Sequence, residues 1–381
     1  MISNSLFGVK PLEILSKKKD LLAMFNDLLS DREKDRALKD SHSKRPPRWC
    51  GITVHVTINC PFACSYCYIE DMGFKFDDIK PYPLSGKELV YALLSNKTFL
   101  PGRTGTLIAI GAISEPFIFE YKIIEYLKWL GELGNPVQFS TKQYISSSLA
   151  HRIAQISSEN NLPISPLVTI ITFKYYRELE RYAPSPEKRL SSIKNLRDVG
   201  LYPVLFLRPV IPGVNVNEIK DIIKAISAIN ECQFHIHGMF IFGLDKDTPT
   251  VIDNTVKFAL KHKIGSVQFA ILTPLPGTPV YEEMCKNKRI LSHNWSLYDG
   301  LHIVFSPKNF SPYALQKAVI KAHKTFYSLK NTFKRLLDRK FLSAQISLYA
   351  LKLTYEWQRK NKEFLNWLKE LDIKSMLIEE V

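Results

Sequence analysis

The stretch Cys60-Pro61-Phe62-Ala63-Cys64-Ser65-Tyr66-Cys67 comes just after the run Gly51-Ile52-Thr53-Val54-His55-Val56-Thr57-Ile58. That run is rich in β-branched residues and reads as a strand. The strand therefore delivers three cysteines, spaced C-x3-C-x2-C, at its carboxyl end. Three thiolates do not complete the four-cysteine shell of an ordinary cubane. They can hold three irons of a [4Fe–4S] cluster and leave the fourth iron open to an outside ligand. Pro61 stiffens the start of the loop. A zinc site and three buried cysteines are the competing readings. Structural zinc takes four ligands in paired C-x2–4-C spacings, and no second pair is present.

Outward from this stretch, candidate strands and helices alternate. The strands are 52–58, 106–113, 136–141, 166–173, 203–211, 233–242 and 266–273, and the helices between them are 87–95, 118–133, 146–159, 186–199, 216–229 and 250–262. The helix at 186–199 is bounded clearly: Ser185 caps it, Pro186 fits its first turn and Gly200 follows its end. Such alternation predicts a parallel sheet with right-handed crossovers. The fold class is α/β, a partial (β/α)6–7 TIM-like barrel over 51–311. A basic helical extension over 1–50 precedes it and a basic helical extension over 312–381 follows. Chemistry in such barrels collects at the carboxyl ends of the strands.

Cys60, Cys64, Tyr66 and Cys67 match, residue by residue, the C-x3-C-x-aromatic-C signature that follows the first barrel strand of radical S-adenosylmethionine (radical SAM) enzymes, and the chain resembles that superfamily. The resemblance implies a cluster held by Cys60, Cys64 and Cys67, with S-adenosyl-L-methionine chelated at the open iron and Tyr66 bordering cluster and adenine. It also implies reductive cleavage of SAM to methionine and a 5′-deoxyadenosyl radical, hydrogen-atom abstraction from a substrate, and an electron donor of the flavodoxin or ferredoxin type. Read with the family in mind, Ser114 and Glu115 after strand two offer acceptors for the SAM ammonium. Lys142 after strand three suits its carboxylate. Thr169 and Thr172 on strand four offer hydroxyls, and Arg208 after strand five offers a carboxylate clamp.

Residues 50–215 resemble the spore photoproduct lyase-like branch through Ile113-Ser114-Glu115-Pro116, Thr141-Lys142, the run from Arg181 to Leu190, and Pro209-Val210-Ile211-Pro212-Gly213. In that branch the serine, the lysine and a strand-four hydroxyl contact SAM, and Ser114, Lys142 and Thr172 take those places. A hydrogen-donating cysteine near the end of strand two is missing, because the chain reads Gly111-Ala112-Ile113-Ser114 there. Segments within 240–305, among them Leu272-Thr273-Pro274-Leu275-Pro276-Gly277, resemble the C-terminal half of cobalamin-associated radical SAM proteins, without a D-x-H-x-x-G cobalamin signature.

The 381 residues carry a net charge of +15. Such a charge favours a polyanion partner, nucleic acid or an anionic membrane, or an anionic substrate. Hydrophobic residues make up 45% of the chain, enough for a sizeable core. No stretch is apolar for long enough to span a bilayer, no signal peptide is evident, and cytoplasm is the expected compartment. Cys50, Cys232 and Cys285 show no second cluster spacing, so no auxiliary cluster is expected.

Four other features stand out. The helical pattern Pro11–Leu29 is followed by the mixed-charge segment 31–45, expected to face solvent or to contact a polyanion. His235 and His237 flank Ile236 on strand six and share one face. They read as a metal pair, a proton relay or a satisfied structural pair, with no third ligand at metal-site spacing. Cys285 is a candidate thiol donor or an ordinary cysteine. In 312–381 lysines and arginines interleave with aromatics, either as a basic surface for nucleic acid or anionic lipid or as helices packed by an apolar stripe. Three function classes follow: a radical enzyme acting on nucleic acid, one acting on a lipid or small metabolite, and a non-enzymatic iron–sulfur protein.

Overall fold

The computed structural model describes residues 11–48, 51–209, 215, 218, 220–222, 224 and 235–379. The chain divides into two compact units, Met1–Phe206 with Lys224–Asn230, and Leu207–Ile223 with Glu231–Val381.

The first unit begins with helices α1 (Pro11–Leu28) and α2 (Asp31–Lys39). The mixed-charge segment 31–45 lies mostly at the surface and is tied down at two points. Arg36 reaches the buried Glu88 at 2.5 Å. His42 is wholly buried and meets Asp40 through Nδ1 at 2.6 Å. Most of the segment's other charged side chains face solvent, as the composition predicts.

Five strands then build a parallel ladder: β1 (Ile52–Val54), β2 (Ile108–Ile110), β3 (Val137–Thr141), β4 (Ile164–Thr169) and β5 (Val204–Leu207). Each pairs with the next along the chain. The order never reverses as it does in a doubly wound sheet, so the winding is that of a (β/α) barrel wall. Helices α3 (Gly86–Ser95), α4 (Glu120–Gly131), α5 (Ser147–Glu159) and α6 (Pro186–Asp198) connect the strands. Three of the four have a serine at the cap position that accepts from the backbone of the first turn: Ser85, Ser146 and Ser185. Leu89, Leu93, Ile108, Ile123, Leu127, Phe139 and Ile153 fill the core with no measurable exposure. Truncating one of them, such as Leu127→Ala, costs about 2–5 kcal/mol through lost transfer energy and the cavity left behind.

The second unit holds two further parallel strands, β6 (His235–Phe242) and β7 (Ser266–Ile271), in register from His237 opposite Ser266 to Phe242 opposite Ile271. Helices α7 (Pro249–Lys261), α8 (Pro279–Lys286), α9 (Pro312–Phe326), α10 (Leu329–Leu337), α11 (Phe341–Lys360) and α12 (Lys362–Glu379) complete it. Phe269 on β7 is the hub, with Phe240, Phe242 and Phe326 ringed within 5.7–6.2 Å of its centroid. Among the described residues no helix is long and apolar enough to cross a membrane.

The seven strands fall where the sequence puts them, and six of them are shorter than expected; residues 233 and 234 of the sixth lie outside the described residues. The first candidate strand, 52–58, breaks after Val54, and Thr57–Ile58 instead pairs antiparallel with Lys80–Pro81. Strand four ends at Thr169, so Thr172 lies in the loop beyond it. Most of the helix expected at 216–229, and Val210 to Gly213, lie outside the described residues.

Candidate cofactor site

The site begins where the chain leaves β1. Asn59 adopts a left-handed φ of 66°, which asparagine tolerates better than most residues. Its side chain fastens the turn three times: Nδ2 donates to the Asp77 carbonyl at 3.0 Å and the Asp78 carbonyl at 3.2 Å, and Oδ1 accepts from Lys75 N at 2.9 Å. Ala63 is also left-handed, at φ 41°, a placement that costs an alanine roughly 1–2 kcal/mol. The coil is tied further by Cys67 N donating to the Cys64 carbonyl and Ser65 N donating to the Leu179 carbonyl, both at 2.9 Å. Cys60, Cys64 and Cys67 thereby pack into one cluster with Phe62, Tyr66, Ile118 and Ala183. All three are free thiols.

The loops after β2, β3 and β4 supply the other groups. Gly111 allows the first of these to approach its neighbour. Its φ is +84°, and a Cβ there would lie 2.3 Å from the Ser140 carbonyl. Ser140 Oγ donates back to the Gly111 carbonyl at 2.8 Å. Ser114 follows, partly buried. Glu115 is buried and its carboxylate accepts from Thr141 Oγ1 at 2.6 Å, Lys142 N at 2.9 Å and Phe117 N at 3.2 Å. It ties the loop after β2 to the end of β3. Burial raises its pKa against the pull of those donors.

Lys142, predicted to serve a carboxylate, faces one already. Its Nζ lies 3.6 Å from Glu180 Oε1 and 5.4 Å from the centroid of the Tyr66 ring. The Tyr66 hydroxyl donates to Glu180 Oε1. Arg189 Nη1 grips the other carboxylate oxygen at 2.5 Å, and both side chains are wholly buried. Arg189 also donates to the carbonyls of Pro184 at 2.7 Å and Thr169 at 3.1 Å, while its Nη2 is buried without a partner. Glu180 and Arg189 were not singled out from sequence. One signal was available: Arg189 shares a helix face with Ile193 and Leu196, so an arginine occupies the apolar stripe of α6.

Thr172 is wholly buried, and its hydroxyl accepts from Tyr175 N at 3.0 Å. Arg208 follows β5 at the start of the second unit, partly buried. Ser114, Glu115, Lys142 and Thr172 thus all belong to carboxyl-end loops of the first unit. Of the remaining features, Cys285 is exposed on α8. His235 Nε2 and His237 Nδ1 each meet Ser266 Oγ at 2.7 Å, the satisfied structural arrangement.

Burial holds the Cys60 thiol up at about 11 and raises Cys64 as well, with the Lys142 ammonium pulling both down. An unpartnered thiolate is therefore disfavoured here, whereas a coordinating metal deprotonates a thiol outright. Among the described residues no three His, Cys, Asp or Glu side chains gather as the ligand set of a single ion. A cubane asks for something else, one thiolate at each of several separate iron corners. Three thiols around one loop, with no fourth beside them among the described residues, fit an open-cornered cubane better than zinc.

Residues 54–226 match the family model of the Radical SAM superfamily. The chain carries a radical SAM domain. Over 145 residues the chain is 30% identical to the bacteriochlorophyllide d C-12(1)-methyltransferase of Chlorobaculum tepidum, a match covering 37% of this chain and 31% of that protein. It is 24% identical over 110 residues to the anaerobic magnesium-protoporphyrin IX monomethyl ester cyclase of Cereibacter sphaeroides, covering 29% of this chain and 18% of that protein. The chain thus spans a third or less of the length of these curated relatives. A spore photoproduct lyase mutant with bound AdoMet and dinucleoside spore photoproduct aligns with a TM-score of 0.48 at 12% identity, covering 67% of this chain and 95% of that one. The family implies SAM and a [4Fe–4S] cluster, and the radical SAM domain contains all three cysteines of the loop.

Proposed function

We propose that this protein is a radical SAM enzyme in which Cys60, Cys64 and Cys67 hold a [4Fe–4S] cluster with one open iron. The observation that carries the reading is the packing of these three free thiols with Tyr66 beside the loops after β2, β3 and β4. When bound, cluster and SAM would supply one-electron chemistry, reductive cleavage of the sulfonium driven by an electron from a flavodoxin- or ferredoxin-type donor.

The chain's own residues orient and shield. Tyr66 is held by Glu180, and Glu180 by Arg189, which fastens the ring beside the cysteines. Lys142 approaches Glu180 only loosely, at 3.6 Å, against the 2.5 Å of Arg189. That leaves its ammonium able to pair with the SAM carboxylate. Ser114 offers an acceptor for the SAM ammonium. Glu115, already engaged by three donors, sets the two loops at their spacing. Thr172 offers a hydroxyl from the loop after β4.

For substrate class, the reading supported best is a small organic metabolite or lipid. The relatives just described act, by name, on bacteriochlorophyllide and protoporphyrin. Nucleic acid is favoured by the net charge of +15, but a lyase of thymine dimers would need a thiol donor where this chain has Gly111-Ala112-Ile113-Ser114.

The test is anaerobic. The cluster is reconstituted, dithionite and SAM are added, and 5′-deoxyadenosine is measured by mass spectrometry. Wild type is expected to form it and Cys67→Ala is not. A loaded cluster that neither binds nor cleaves SAM would leave the non-enzymatic iron–sulfur reading in its place. Adding lipid extracts, DNA and RNA in turn then asks which one accelerates turnover.

A further inference from the structure

Helix α10 is folded the wrong way round for a core helix. Its apolar residues Leu329, Phe333, Leu336 and Leu337 recur at positions i, i+4, i+7 and i+8, which puts them on one face. That face points to solvent, with exposures of 67%, 62%, 42% and 69%. The residues that face inward are Thr332 and Arg335, at 4% and 8%. Arg335 anchors the helix: Nη1 donates to the Phe326 carbonyl at 3.1 Å, and its guanidinium lies 4.5 Å from the centroid of the Phe326 ring. Thr332 Oγ1 donates to the Ser328 carbonyl at 3.0 Å. Phe341 and Leu342, which open α11, extend the exposed apolar surface at 62% and 53%.

Six large apolar side chains in adjoining elements need a covering. The basic residues say which one. Lys330 and Lys334 are exposed beside the apolar face, Arg339 follows it, and α10 itself contains no acid. Lys330 also lines an open groove of about 710 Å³ with Lys317, Lys321 and Lys324. Two copies of the chain meeting face to face would bring these cations together, so self-association is disfavoured by charge. An apolar face edged by lysines, on a helix far too short to span, matches the interface of an anionic bilayer: side chains enter the acyl boundary and ammonium groups stay with the phosphates.

We infer that α10 and the start of α11 dock this protein peripherally on an anionic membrane surface, with the lysine-lined groove receiving headgroup phosphates. The inference does not depend on the cluster or on SAM cleavage. It is tested on the full chain by flotation with phosphatidylcholine vesicles and with vesicles of equal parts phosphatidylcholine and phosphatidylglycerol. Binding to the anionic vesicles is expected, falling as salt rises. Phe333→Asp with Leu337→Asp should weaken it at least tenfold, and Lys330→Glu with Lys334→Glu should weaken it on anionic vesicles only. All four side chains are exposed, so circular dichroism melting should be unchanged, which separates lost docking from lost folding. The inference is overturned if wild type ignores both vesicles, or if binding is indifferent to these substitutions. It is also overturned if sedimentation velocity shows a dimer that Phe333→Asp dissolves.

Discussion

Glu180 and Arg189 in the first unit are charged and wholly buried; Phe333 and Leu337 on α10 are apolar and 62% and 69% exposed. Each pair inverts the usual partition of side chains between water and core. They do so in different ways. The buried charges have each other, a tyrosine hydroxyl and two carbonyls. The exposed hydrophobics are left largely uncovered by the described residues. An inversion paired within the chain, even with one Arg189 nitrogen left over, points to a structure built around the site, and an uncovered one points to something outside the chain.

The largest effect should come from the loop that the buried charges brace. Replacing any one of Cys60, Cys64 or Cys67 by alanine should lower 5′-deoxyadenosine formation to background while leaving the fold intact, as read by far-ultraviolet circular dichroism. Residual activity above one per cent would mean that the loop is not the cluster's ligand set.

Next in size is the buried pair itself. Glu180→Ala leaves Arg189 charged and unpaired in the core, a loss of about 3–5 kcal/mol. The urea midpoint should fall accordingly. If Glu180→Ala is no worse than an ordinary surface substitution, the contrast with α10 disappears.

A third effect concerns pH. Burial holds His235 and His237 at about 4, each below its ordinary 6.5. The folded state therefore prefers the neutral rings. Their contribution is full above about pH 6.5 and is lost as pH falls toward 4, by up to about 1.4 kcal/mol per unit for each ring. Urea unfolding at neutral pH and at about pH 5 should show the loss, and His235→Gln with His237→Gln should flatten it.

The smallest effect is on α10, where Phe333→Asp should change stability by no more than about 0.5 kcal/mol. A large destabilisation there would show that the face is part of the core after all.

The cluster loop and the strand order were legible because both are written locally. Cysteine spacing is a direct count, and β-branched runs punctuated by Ser185-Pro186 and Gly200 mark where α6 starts and ends. Strand lengths were overread, since Val56 to Ile58 and Ile170 to Thr172 are as β-prone as the strands they follow, and only pairing partners decide where a ladder stops. The Glu180–Arg189 pair was missed because its members come from a loop and a helix, and their partnership exists only after folding. The mixed-charge segment 31–45 faces solvent over most of its length, as expected, and the contact it adds, Arg36 to Glu88 across 52 residues, exists only after folding. The direction in which α10 faces was hidden as well. Its periodicity reports an apolar stripe, and a stripe alone does not say which side the protein is on.

The most direct test of the central claim is electron paramagnetic resonance of the reconstituted, reduced protein before and after addition of SAM. A cluster with an open iron should give a reduced signal whose g values shift when SAM binds, and Lys142→Ala should require more SAM to produce the same shift. A reduced cluster whose spectrum is unchanged by saturating SAM would contradict the assignment of Cys60, Cys64 and Cys67 as three ligands of an open cubane.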